Sequence, residues 1–313
     1  MANEINRGYF PQVTVLLAAY RSQDTIKESL LSIFEQTYPN IQLIICDDGT
    51  ENFDENYLKD FLLKYDKNAI TQIIHHQNNI GTVKNLNIGL RYATGHYIII
   101  LGADDCFACP DALVKLVELI SEKKTKWAVS RTALCDERLI KRGVSLPSPA
   151  ISEYIANRDV GALQFALSMN CCFPAGGAIF ESELLTSVGG FDENYVLVED
   201  WPLFLKLVRR GELPALSEED LVLHRFGGVS RKNAGKNRKY QDDLINVLRK
   251  EVVPHLWGIA PERRIKIEEC IKLKEQGYEF RFSNPRIIDK LIWVLRHPAF
   301  ILHKLVIRRE KAL

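Results

Sequence analysis

A mostly parallel, Rossmann-like α/β sheet followed by a helical C-terminal extension is the fold class this sequence predicts. Three observations carry the prediction. Through roughly the first hundred residues, short apolar runs alternate with segments of helical periodicity. The last of these runs, Tyr97 to Leu101, is apolar at every position, as a strand covered on both faces must be. The residues after each run are polar or charged, at the carboxyl ends of strands where sheets of this type hold their ligands.

Val13 to Ala18 makes the first strand, and Thr25 to Gln36 the first helix, with Ile26, Leu30, Ile33 and Phe34 at helical spacing. Gln42 to Cys46 is a strand, Tyr57 to Tyr65 a helix, Ile70 to His75 a third strand, and about Gly81 to Ala93 a third helix ahead of the strand at Tyr97. Such a series closes through right-handed crossovers, with helices on both faces of the sheet. From Pro110 the pattern loosens. A helix over about Asp111 to Glu122, a strand near Trp127 to Ala133 and a proline- and serine-rich stretch at Leu146 to Ala150 lead to a second cluster. That cluster holds Ala175 to Phe180, Val188 to Asp192 and a helix opening near Glu199. Gly227 to Lys239, rich in glycine, serine, asparagine and basic residues, reads as a mobile loop. Helices follow to the end.

Of the 313 residues, 46% are apolar and 26% charged, the balance of a folded globular protein. Lysine and arginine number 41 against 40 aspartate and glutamate, which argues against nucleic acid as a partner. That neutrality is a cancellation. Residues 1–223 carry 20 basic and 30 acidic side chains, whereas residues 224–313 carry 21 and 10. Seven scattered cysteines, an odd number, suit a reducing compartment. Met1 to Phe10 lacks the apolar core of a secretory leader, and Leu291 to Ile307 is broken by Arg296, His297, Pro298, His303 and Lys304, so no membrane span is expected and the location reads as cytoplasmic.

After Asn284-Pro285, Ile287, Ile288, Leu291, Ile292 and Leu295 share a helix face flanked by Arg286, Lys290 and Arg296. Past Pro298 a second basic segment carries Lys304, Arg308, Arg309 and Lys311. Residues 284–313 therefore suit either an anionic membrane surface, peripherally, or a helix pair packed on the rest of the chain.

The common phosphate loops are missing: no Gly-x-Gly-x-x-Gly follows the first strand, and Ser230 stands where a loop ending at Gly235-Lys236 needs its first glycine. Three acidic pairs stand out instead. Asp47-Asp48, before Gly49-Thr50, can accept a hydrogen bond from an imide N–H such as that of uracil, or can simply form an Asx-turn. Asp104-Asp105 follows the most apolar strand, where adjacent carboxylates call for a cation or a helix cap. Oxygen ligands there would favour Mg²⁺ or Mn²⁺ shared with a diphosphate. Glu199-Asp200 opens a helix, a position that favours acidic residues whatever the function. Cys106 and Cys109 with Cys171 and Cys172 could make a four-sulfur zinc site, but the second pair lacks the usual spacing, and separate thiols are the simpler reading.

In order along the chain, Val13 to Tyr20, Gln36-Thr37-Tyr38-Pro39, Asp47-Asp48-Gly49-Thr50, Asn79-Ile80-Gly81, Lys84-Asn85, Gly95-His96-Tyr97-Ile98, Asp104-Asp105, Gly189-Gly190-Phe191-Asp192 and Glu199-Asp200-Trp201 together resemble the family 2 inverting glycosyltransferases of GT-A fold. The likeness covers roughly residues 11 to 232. It implies a catalytic domain over 1–235, with a donor half at about 11–108 and an acceptor half at about 109–226, and a helical, basic region at 236–313. It also implies transfer of a sugar from a nucleotide-diphosphate sugar, a uridine or thymidine one by the reading of Asp47 and a UDP-sugar first, to a saccharide or lipid-linked acceptor in cell-surface polysaccharide synthesis.

By the same resemblance Ala18 and Tyr20 would lie against the nucleobase and Asp47 would bond its imide. Lys84 stands where the family usually has an arginine near the nucleotide. Asp104 would contact the ribose or metal, Asp105 would be the main protein ligand of Mg²⁺ or Mn²⁺, and His224 would be an extra metal or phosphate ligand beside Arg225, which precedes a closing loop and, with Lys84, would meet the charge of the leaving diphosphate. Asp200 would be the general base, helped by Glu199. The chain departs from the family with Ala18-Ala19-Tyr20-Arg21 for Pro-Thr-Tyr-Asn, and with Gly102-Ala103-Asp104-Asp105 for Asp-x-Asp-Asp. A non-catalytic nucleotide-sugar binding protein, suggested by Gly102, is the alternative. A nucleotidyltransferase would need a glycine-rich basic loop after the first strand, which Ala18-Ala19-Tyr20-Arg21 does not supply.

Overall fold

The computed structural model describes residues 10–66, 70–226, 237–258 and 261–275. The loop expected after Phe226 falls outside them as far as residue 236, as do the amphipathic segments at 284–313. Two compact units divide the chain, Met1–Ile267 and Glu268–Leu313. The first holds the whole sheet and runs past residue 235. Of the second, residues 268–275 are described and are helical. No described helix is long and apolar enough to cross a membrane.

Nine strands form one sheet in the order β3-β2-β1-β4-β8-β6-β9-β5, with β7 added on β6. β1 (Val13–Ala19), β2 (Ile41–Asp47), β3 (Ile70–His75) and β4 (Tyr97–Gly102) are parallel. Their apolar character follows from burial on both faces: Leu17, Ile45 and Ile99 on one side and Leu16, Ile44 and Ile100 on the other are all buried. Between them run α1 (Ile26–Phe34), α2 (Glu55–Tyr65) and α3 (Thr82–Leu90). Asp54 starts α2 by accepting from the Tyr57 N–H at 2.9 Å. The predicted alternation is therefore realised element by element.

The second half of the sheet is mixed in strand direction. β5 (Cys106–Phe107) is followed by α4 (Ala112–Lys123), the long β6 (Trp127–Cys135) and β7 (Lys141–Leu146), which pairs with β6 as an exposed hairpin. α5 (Pro149–Ala156) and α6 (Val160–Met169) precede β8 (Ala178–Glu181), which lies antiparallel to both β4 and β6. After α7 (Ser182–Val188) and α8 (Asp200–Arg209) comes β9 (Ala215–Arg225), parallel to β6 and antiparallel to β5. Two reversals, at β8 and again at β6, bring β6 and β9 back into the sense of β4. The carboxyl ends of β1, β2, β4 and β9 thus share one edge. α9 (Arg238–Val247) and α10 (Pro261–Glu275) complete the described elements.

An aromatic cluster fixes α8 to this sheet. The Trp127 ring stacks on Phe180 at 5.7 Å and on Phe204 at 5.5 Å, with Phe173 edge-on at 5.9 Å. Trp127 is fully buried, and its indole N–H donates to the Glu212 carbonyl at 3.0 Å. Trp127→Ala is expected to cost about 3–5 kcal/mol of stability. Chemical denaturation would measure it, and a loss under about 1 kcal/mol would mean the cluster does not hold β6 to α8.

Candidate active site

At the end of β2 the two aspartates do different work. Asp47, 2% exposed, accepts from the Thr50 hydroxyl at 2.6 Å and the Thr50 N–H at 2.9 Å, and its Oδ2 lies 2.8 Å from His75 Nδ1. Both oxygens are engaged inside the protein and the Asx-turn forms, while Oδ1, which accepts from the Thr50 hydroxyl, has a second lone pair by which it could accept from a nucleobase imide. Asp48, equally buried, accepts from Asn79 Nδ2 at 2.8 Å, from the Ile80 N–H at 2.7 Å and from the Gly81 N–H at 3.1 Å. Burial raises its pKa, and the backbone donors oppose that shift.

Through these bonds Asp48 fixes the loop leading into α3, whose first turn carries the exposed Lys84. Gly81 caps that helix with φ +94°, and a Cβ there would sit 2.6 Å from the Val196 side chain. Ala18 and Tyr20 stand at the neighbouring strand end. The Ala18 carbonyl accepts from the Ala103 N–H at 2.8 Å, and the Tyr20 ring is exposed, with the Arg21 guanidinium 5.1 Å from its centre.

The end of β4 and the end of β9 meet. Asp105 is 4% exposed, both its oxygens lie 3.0 Å from His224 Nδ1, and it accepts from the Arg225 N–H at 3.0 Å. Asp104 beside it has its pKa pushed up to about 6, chiefly by burial and then by the charge of Asp105. Gly102 makes room here: a Cβ would lie 2.7 Å from the Asp104 carboxylate. The absent first carboxylate of the family pattern would crowd the two that remain.

Arg225 does not reach into the open edge as expected. Its guanidinium is tied to Glu28, to the Glu137 carbonyl and, at 3.0 Å through Nε, to the Asp104 carbonyl. It clamps the β4 and β9 ends together rather than standing ready for a phosphate.

The third pair opens α8. Asp200 Oδ1 accepts from the Trp201 N–H at 2.6 Å, and the Cys171 thiol hydrogen-bonds to its side chain. Trp201 is fully buried and donates to the Leu167 carbonyl at 2.6 Å, which fixes the helix start. Burial raises both carboxyls above the ordinary range. Glu199 is raised further by the charge of Asp200, whereas Trp201 and Cys171 favour ionised Asp200.

The structure brings Asp104, Asp105, His224 and Arg225 together, and sets Glu199 beside Asp200. One segment links the groups: Cys171 touches Asp200, and five residues on, a Cβ at Gly176 would lie 3.2 Å from Asp105. Among the described residues no three His, Cys, Asp or Glu groups converge as a metal cage, and the six cysteines described in the structure are free thiols, so the zinc reading is not realised. What remains is a pair of adjacent carboxylates whose mutual repulsion a divalent cation would relieve. That donor set fits an ion that takes most of its oxygens from a diphosphate and water.

Sequence reasoning missed Asp48 as the anchor of the 79–81 loop. It also missed Asp243, whose Oδ2 accepts from the backbone of residues 196–198 just before Glu199. An aspartate that follows another, Asp242, in a polar helix gives no signal of a partner more than forty residues away.

Residues 14–174 match the family model Glycosyl transferase family 2. The chain is 35% identical over 275 residues to an uncharacterized glycosyltransferase of Haemophilus influenzae, covering 85% of this chain and 80% of that one. It is 20% identical to the Escherichia coli UDP-Glc:alpha-D-GlcNAc-diphosphoundecaprenol beta-1,3-glucosyltransferase WfgD, over 66% of this chain and 73% of the other. Its fold resembles Staphylococcus aureus TarS 1–349 in complex with UDP-GlcNAc, with TM-score 0.61 at 16% identity over 93% and 80% of the two chains. It also resembles the Pyrobaculum calidifontis mannosyltransferase PcManGT in complex with GDP-Man and Mn²⁺, with TM-score 0.59 at 16% identity over 94% and 81%.

Proposed function

The chain belongs to glycosyltransferase family 2 and has the GT-A fold, and from that premise we propose that it is an inverting enzyme. In this reading it moves a sugar from a uridine-diphosphate donor to a hydroxyl of a saccharide or lipid-linked acceptor in cell-surface polysaccharide synthesis. The observation that carries the chemistry is Asp200, a half-buried carboxylate at the start of α8 held by the Trp201 N–H and the Cys171 thiol, with its proton affinity raised by desolvation. An acceptor hydroxyl is a weak nucleophile, and a base within hydrogen-bond reach removes its proton as it attacks. One attack from the face opposite the leaving diphosphate inverts the anomeric carbon.

The donor lies, in this proposal, along the edge formed by β1, β2 and β4. The Tyr20 ring offers a face for the nucleobase. Asp47 holds the turn to Thr50 and, through the remaining lone pair of Oδ1, would accept from the imide N–H of uracil. Lys84, on the first turn of α3, is placed to meet phosphate charge together with the helix N-terminus. Asp104 and Asp105, with His224 behind them, would hold Mg²⁺ or Mn²⁺, which supplies electrostatic stabilisation to the diphosphate as it leaves. Arg225 keeps that acidic end in place.

A uridine donor is favoured by the UDP-sugar named for WfgD and by the UDP-GlcNAc bound to TarS, and the acceptor class by the lipid diphosphate in the name of WfgD. The excess of basic residues after residue 223 supports a peripheral site on an anionic membrane face. A panel of UDP-glucose, UDP-galactose, UDP-N-acetylglucosamine and GDP-mannose, assayed for nucleoside diphosphate release with and without EDTA, tests the donor and the ion together. Release from a UDP-sugar is expected, lost with EDTA and restored by Mn²⁺ or Mg²⁺. Release from GDP-mannose alone would sink the uridine assignment, and turnover indifferent to EDTA would sink the ion.

A further inference from the structure

The segment that carries Asp200 is held from far along the chain. Asp243 lies on α9, beyond the residues that match the family model, and is 3% exposed. Its Oδ2 accepts from three successive backbone N–H groups, Val196 at 2.8 Å, Leu197 at 2.6 Å and Val198 at 3.2 Å. Successive amides converging on one oxygen form an anion nest, which a charged acceptor fills best. The same turn faces the other way as well. The Val196 carbonyl accepts from the Val83 N–H at 3.2 Å, on the first turn of α3, and a Cβ at Gly81 would lie 2.6 Å from the Val196 side chain.

α9 is in turn continuous with a π-helical turn, Leu248–Val252, where Arg209 of α8 pairs with Glu251 at 2.5 Å. One carboxylate therefore sits between the helix that bears Lys84 and the helix that bears Asp200.

We infer that Asp243 is a positioning residue for sugar transfer, fixing the 196–198 turn so that the base on α8 and the phosphate-facing end of α3 keep a single spacing. The inference rests on the reading of Asp200 as base. Around that pair, Glu199 faces the charges of Asp200 and Asp243, and Asp200 faces the Cys171 thiol and the Trp201 N–H.

Asp243→Asn keeps the shape and an acceptor oxygen but removes the charge. Hydrogen–deuterium exchange should then show at least tenfold faster exchange at the amides of 196–198. With the fastest donor of the panel, kcat should fall ten- to a hundredfold with little change in donor KM, and the acid limb of kcat, which belongs to the interacting Glu199–Asp200 pair, should move to lower pH because that pair loses a negative neighbour at Glu199. Asp243→Glu keeps the charge but displaces it, so it should retain the acid limb and lose kcat; it serves also if the Asn variant does not fold. Unchanged protection of the turn, or wild-type kcat and acid limb in the folded variant, would overturn the inference. Wild-type turnover in Asp200→Asn, or no turnover with any donor, would remove the base or the transferase reading instead, and the exchange result would still decide whether Asp243 holds the turn.

Discussion

Asp200→Asn is expected to lower turnover by about two to four orders of magnitude while the donor still binds, because a positioned general base contributes on the order of 10²–10⁴ and an amide cannot take a proton. The substitution suits the site structurally. Asn keeps an oxygen for the Trp201 N–H at 2.6 Å, so the start of α8 should survive, and the buried Trp201 continues to anchor it through Leu167. The pH profile sharpens the test. Burial lifts both carboxyls of the pair, and only the ionised form of Asp200 can accept the proton, so wild-type turnover should rise with pH along an acid limb above the ordinary carboxylate range. The residual activity of the variant should lack that limb. Turnover near wild type, or a variant that keeps the limb intact, would transfer the role to another group.

The second large effect belongs to Asp105. Asp105→Asn should weaken Mn²⁺-dependent binding of UDP by at least tenfold and turnover by about a hundredfold or more, since the site then loses half of its adjacent carboxylate pair. Asn remains an acceptor for the Arg225 N–H, so the junction of β4 and β9 has reason to persist. Calorimetry of UDP with and without Mn²⁺ reads the ion separately from the fold. Equal enhancement of UDP affinity by Mn²⁺ in variant and wild type would remove Asp105 as its ligand. Loss of affinity for metal-free UDP would point to the pocket rather than the ion.

The donor half was legible because its physics is local. Strands buried on both faces must be apolar throughout, and Tyr97 to Leu101 could hardly be anything else; helices that cross such a sheet show their period plainly, as α1 does. The second half was harder for equally physical reasons. α6 is apolar around most of its circumference, so it shows no face, and β5 is two residues long. β7 is an exposed hairpin strand with no buried side to betray it. At the candidate site the residue types were readable, but their division of labour was not. Asp47 and Asp48 look alike in sequence, and only the structure shows one closing its own turn and the other gripping the loop at 79–81. Arg225 reads as a free cation until Glu28, some two hundred residues earlier, is seen to meet it.

β8 has a consequence for how the molecule comes apart. Among the described residues its four residues ladder β4 of the parallel block to β6: Ile179 and Phe180 pair with Ile99 and Ile98 on one side and with Ala128 and Trp127 on the other. Neither block can separate without stripping this strand of hydrogen bonds and exposing Phe180 to water. Melting of the donor half and the acceptor half is therefore coupled into one cooperative event, and a chimera that exchanges the acceptor half must transplant β8 with a matching β4 or leave both halves unsealed.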